Sequence, residues 1–188
     1  MIELFEKKPL DFTTAFVYPF NRAKGMLNIL WILLPIIGWF ALGGYSVRII
    51  QEFSKGKYKE LPEMEFGDDF SLGFFMFLKS LPFVVAYCLF MAILDDKGFL
   101  VFLVKFLIAL FVLPILSIHF INKQTVASFF EFQILKGVFH NLTDYIMALL
   151  KCVGLCIVFG ILSIVLIGIP AGAFTKSIFL ADFYRRKI

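Results

Sequence analysis

Four apolar runs alternate with polar stretches along the chain: 26–45, 74–94, 99–120 and 145–183. About 20 apolar residues suffice to cross a hydrocarbon core of ~30 Å, so each run is long enough to enter a membrane. Only DDKG (95–98) separates the two middle runs. That spacing predicts an antiparallel helical hairpin over 74–120. The outer runs are interrupted. Pro35, Gly38, Gly43 and Gly44 break the first, and Gly168, Pro170 and Gly172 break the last. Such breaks suit a kink or a re-entrant dip, provided neighbouring protein covers the freed backbone. A straight helix over 145–183 would be nearly twice as long as the core is thick. The pattern therefore predicts an all-α, polytopic helical membrane protein. It has about four to six membrane-embedded segments, some kinked or re-entrant, within a single domain over 1–188.

The intervening stretches are short. DFTTAFVYPF (11–20) reads as an interfacial helix capped by Asp11, stopped by Pro19 and holding Tyr18 at headgroup level. The segment 51–69 is the one extended polar loop, punctuated by Gly56, Pro62 and Gly67. A mixed stretch at 121–141 reads as a further interfacial helix. The N-terminal residues carry acids among the bases, and no small-x-small site follows the first run. A cleavable leader is not expected.

Charge placement weighs the topologies. Four simple crossings would divide Lys and Arg almost evenly between the two sides. If the first and last runs instead double back, one side collects Lys7, Lys8, Arg22, Lys24 and Arg48. It also collects the loop lysines, Lys123, Lys136 and the C-terminal cluster ending Arg185, Arg186, Lys187, leaving Lys97 opposite. The positive-inside rule favours this second arrangement, with both termini and the 51–69 loop in the cytoplasm and the protein in the cell membrane.

Composition agrees. Hydrophobic residues make up 61% of the chain and charged residues 17%, with a mean hydropathy of +0.91. A soluble domain carries about 45–50% and 25%. The net charge is +4. Because the bases flank apolar runs, membrane lipids are the expected partner, not nucleic acid. Cys88, Cys152 and Cys156 all lie in apolar runs without a CxxC pair and read as buried small side chains.

Candidate chemistry is sparse. No hydrolase, kinase, nucleotide-binding or zincin motif occurs, so no catalytic, cofactor-binding or metal-ligating residue is assigned. His119 and His140 lack a carboxylate at ligand spacing. In the loop, Glu63, Asp68 and Asp69 stand among lysines, which favours a solvated loop over a cation site; Asp68 or Asp69 suits a helix cap. Lys79, Lys105 and Lys151 lie inside apolar runs, where ionisable groups count as functional by default. Each is close enough to a helix end to snorkel. No carboxylate lies deep in a run, which argues against proton coupling. Asp144-Tyr145 opens the last run as cap and anchor.

The order of these elements carries a resemblance. DFTTAFVYPF is followed by GYSVRIIQEFSKGK, ELPEMEFGDDF, FHNLTDYIMALL and FLADFYRR. The series resembles a family of prokaryotic multi-pass membrane proteins catalogued as domain of unknown function 4013, over nearly the whole chain. The resemblance implies a helical membrane fold and brings no activity, cofactor or site residue. The expected function is that of a non-enzymatic scaffold, assembly factor or accessory subunit of an envelope or transport complex, with a protein partner or a second copy. A small transporter, channel or lipid-binding protein is the alternative.

Overall fold

The computed structural model describes residues 8–94 and 98–188. The predicted acidic turn at 95–97 and Lys7 lie outside the described residues. Asp11 caps α1 (Phe12–Asn21), its carboxylate accepting the Thr13 N–H at 3.0 Å. Pro19 does not stop this helix. A proline near a C-terminal end forfeits little pairing, and the helix runs on to Asn21. Tyr18 does not face outward. It is fully buried, edge-on to Phe53 at 4.7 Å, because α1 lies against the helix that carries Phe53.

The first apolar run is a re-entrant hairpin. α2 (Ala23–Met26) leads into a 3-10 stretch, Leu27–Leu33, and α3 (Ile37–Ser54) returns beside it. Ile36 turns the tip at φ 66°. Gly38 permits the closure: a Cβ there would fall 1.7 Å from the Trp31 carbonyl oxygen. The Trp39 indole N–H donates to the Ile32 carbonyl at 3.2 Å across the tip.

α3 continues to Ser54, and α4 (Phe66–Ile93) begins eight residues before its apolar run. Asp68 and Asp69 occupy its first turn, where the helix dipole favours carboxylates. The predicted loop 51–69 thus shrinks to 55–65. α3 and α4 pack antiparallel with backbones almost touching at Gly44 and Gly73.

The chain then forms α5 (Phe99–Leu107), a π stretch at Ile108–Val112 and α6 (Leu113–Lys123). The π stretch lies just before Pro114, whose missing N–H disturbs the ladder there. The expected interfacial helix at 121–141 is broken. Two 3-10 turns, Val126–Phe130 and Phe132–Ile134, precede the short α7 (Leu135–His140). Phe129 is the reason: it wedges between α4 and α6, stacked on Phe83 at 4.3 Å and Phe120 at 4.1 Å.

The last run also doubles back. α8 (Leu142–Leu162) ends in a 3-10 turn at Ser163–Val165, and Leu166 reverses the chain at φ 63°. α9 (Gly168–Thr175) and α10 (Ile178–Lys187) return along it. Lys187 closes the hairpin on Asp144 at 2.7 Å.

The described residues hold no strand, and three helices are long and apolar enough to cross a membrane: Phe66–Ile93, Phe99–Lys123 and Leu142–Val165. The chain is an all-α membrane protein. Its best-buried element is α10, packed among α3, α6 and α8, with Ile178–Phe183 all interior. Only Cys152 of the cysteines is buried. Cys88 and Cys156 are exposed on apolar outer faces, and none forms a disulfide.

Candidate functional site

The polar groups converge at one end of the molecule in three clusters. The first gathers the acidic segment. Arg48 donates to the Asp69 carboxylate at 2.7 Å, to Glu65 at 3.1 Å and to the Glu63 carbonyl. Asp69 is buried and also accepts the Glu65 N–H at 2.9 Å, so it caps α4 from within the first turn. Arg22 pairs with Glu63 and donates to the Leu61 carbonyl at 3.1 Å. The Tyr45 hydroxyl donates to Pro62 at 3.0 Å, and Asn21 to Lys59 at 2.7 Å. Arg22 and Arg48 flank opposite ends of the first apolar run yet reach the same segment, which is possible only because the run doubles back. The loop is fastened, not free in solvent. Of its predicted residues Asp69 is buried, while Glu63 and Asp68 stay exposed.

The second cluster was missed from sequence. Asp182 is buried on α10 and accepts from Arg185 at 2.7 Å, Arg186 at 2.9 Å and the Leu10 N–H at 2.9 Å. Lys151 donates to the Leu10 carbonyl at 3.0 Å and sits over the Phe179 ring. Its ammonium thus reaches into the polar cluster and is held there. The motif FLADFYRR held the signal: i,i+3 and i,i+4 spacing places both arginines over the aspartate.

The third joins His119 to partners distant in sequence. Its Nε2 lies 2.8 Å from Glu131 and its Nδ1 2.9 Å from the Tyr184 hydroxyl. The reading that His119 lacks a paired carboxylate is corrected here, since the 3-10 turns bring Glu131 back across α6. Burial and the Glu131 charge push the Tyr184 phenol above its usual range. The imidazole is buried while Glu131 is half exposed, and the three groups tie α6, the Val126–Ile134 turns and α10 together. His140 is exposed.

The remaining predicted residues separate. Tyr145 is buried and donates to the Leu110 carbonyl at 2.8 Å, inside the π stretch. Lys79 is half-buried at the middle of α4 and Lys105 half-buried in the last turn of α5, outside these clusters. Among the described residues, no three His, Cys, Asp or Glu side chains are grouped to hold a metal ion.

One concavity combines polar and apolar walls. A groove of about 600 Å³ runs between the first hairpin, α6 and the α9–α10 break. Its floor is buried and apolar, formed by Leu42, Ile50, Ile118, Phe174 and Leu180. Ser46, Ser117, Lys176 and Ser177 line its sides. Lys176 is exposed and has no ion-pair or hydrogen-bond partner among the described residues.

Neither the curated proteins nor the solved structures contain a match to this sequence. The family described as Protein of unknown function (DUF4013) matches residues 27–168, which spans both hairpin tips and all three long helices. Most of the sequence thus lies inside one family match, and the chain belongs to the DUF4013 family.

Proposed function

We propose that this is a non-enzymatic, multi-pass protein of the cell membrane that serves as a scaffold, assembly factor or accessory subunit. The observation behind this reading is the outer half of the α4–α5 pair. α5 packs on little except the π stretch that continues it. Leu89, Ile93, Phe99, Leu100 and Phe102 are each more than half exposed there. The polar clusters, by contrast, are occupied in holding the hairpins together. Two apolar helix segments that stand clear of the bundle and scarcely touch each other suit packing against another membrane helix, where van der Waals fit drives association. Mass measurement of the intact particle in mild detergent tests this. A stoichiometric partner or second copy, lost on Leu89→Ser with Phe102→Ser, is the expected result. A lone chain in every detergent and in nanodiscs overturns it.

In the proposed topology the segment 55–65 and both described ends face the cytoplasm, and the α4–α5 turn faces outward. Arg22, Arg48, Lys123 and the Arg185–Lys187 cluster all lie at the same end, which suits the positive-inside rule. In a chain lacking its native cysteines, a cysteine at Lys57 should react with an impermeant maleimide only after permeabilisation. One at Gly98 should react in intact cells. The reverse pattern inverts the topology.

A second reading, lipid binding, is favoured by the groove at the α9–α10 break. It has a buried apolar floor and a cation at its side.

A further inference from the structure

We infer that this groove holds an anionic phospholipid, with the headgroup phosphate on Lys176 and an acyl chain along the apolar floor; the inference rests on the lipid-binding reading. Height is the first argument. The Tyr45 ring packs edge-on to Phe174 at 5.1 Å, and its hydroxyl donates to Pro62 in the polar segment. Lys176 lies two residues beyond Phe174, toward the polar end. It therefore stands at the level where Arg48 meets Asp69, which is the level of the helix ends and of lipid headgroups. Toward the hairpin tip, the groove walls are apolar, with Ile29, Ile32 and Pro114. A phosphate and its chain have the same division of character over the same span.

Charge is the second argument. Among the described residues, Lys176 has no carboxylate beside it and no Asp or Glu lines the groove. A phosphate there gains a charge-assisted hydrogen bond, and the side chains of Ser46 and Ser177 stand nearby as neutral donors. An ethanolamine or choline group would bring a second cation with no acid to receive it. The lining thus selects a lipid whose net charge is negative, such as one with a glycerol headgroup. A water-soluble anion would leave the apolar floor uncovered and exposed, at a cost that grows with its area.

Native mass spectrometry of the full chain, released from nanodiscs of equal phosphatidylglycerol and phosphatidylcholine, tests the assignment. A lysine near the headgroups contributes a preference of about fivefold for the anionic lipid. The wild-type protein should retain phosphatidylglycerol over phosphatidylcholine by about that factor. Lys176→Gln should bring the two near parity, while Lys24→Gln, an exposed lysine outside the groove, should leave the preference unchanged. Lys176 is exposed and unpaired among the described residues, so its replacement leaves the fold intact. Ser46→Leu, which fills the groove wall, should reduce retention of both lipids. Equal retention of the two lipids by the wild-type protein overturns the headgroup assignment while the lipid-binding reading stands. An unchanged preference in Lys176→Gln does the same. If the wild-type protein retains neither lipid, both fall.

Discussion

Replacing Arg48 with methionine is expected to destabilise the protein by about 3–5 kcal/mol, the typical cost of stranding one partner of a buried ion pair. The Asp69 side chain is 2% exposed and has Arg48 as its cationic partner at 2.7 Å. Without the guanidinium, the carboxylate stays in place with only the Glu65 N–H as donor. Glu65 and the Glu63 carbonyl lose a partner at the same time. Arg22→Gln provides the comparison. Its partner Glu63 is 77% exposed, and an exposed pair contributes about 0–1 kcal/mol. Denaturant unfolding of both variants in mixed micelles measures the difference, with Trp31 as a reporter because its ring lies tilted against Phe66 at 4.4 Å. Equal losses at the two positions would refute the claim that burial, not pairing, sets the cost. Combining Arg48→Met with Asp69→Leu should recover part of the loss, since it leaves no stranded charge.

Gly44→Ala is expected to be nearly as damaging, and Gly43→Ala to be neutral or stabilising. A Cβ on Gly44 would fall 1.8 Å from the Asp69 carbonyl oxygen, and one on Gly73 would fall 1.9 Å from that of Phe40. Backbone cannot move aside as a flexible side chain can. α3 and α4 would have to separate, opening the Arg48–Asp69 contact with them. Overpacking costs typically 1–3 kcal/mol and occasionally more, and about 3 kcal/mol is expected here. A Cβ on Gly43 meets nothing within 4 Å. Alanine there gains up to about 1 kcal/mol of helix propensity. The same unfolding assay reads both. Opposite signs at adjacent positions would establish that the close approach, and not the number of glycines, holds the pair together.

Much of this architecture was legible in the sequence because apolar length and basic flanks are local signals. The two doubled-back runs follow from their glycine and proline breaks together with the placement of Lys and Arg. Asp11 announced its cap. What local reading missed is tertiary. The polar loop lost residues to α3 and α4 at both ends because Arg48 and Asp69 need each other and helical geometry brings them together. Tyr18 went inward because α3 was waiting with Phe53. His119 found Glu131 only through turns that Phe129 imposes from a distance. Asp182 carries no local mark of its tie to Leu10, a residue far away in sequence whose N–H needs an acceptor.

The two hairpins have a consequence for the bilayer itself. From the level of Arg48 to Ile36, the first hairpin extends about 18 Å at ~1.5 Å per residue, and the returning arm of the second rises about 12 Å from Phe174 to Leu166. Each is roughly half of a ~30 Å core. In the proposed topology the first wedge and the returning arm of the second stay in the cytoplasmic leaflet, while the outer leaflet holds α4, α5 and the far end of α8. Each molecule then displaces more lipid from one monolayer than from the other. A sheet crowded with copies would relieve that mismatch of area by bending away from the leaflet that holds the hairpins.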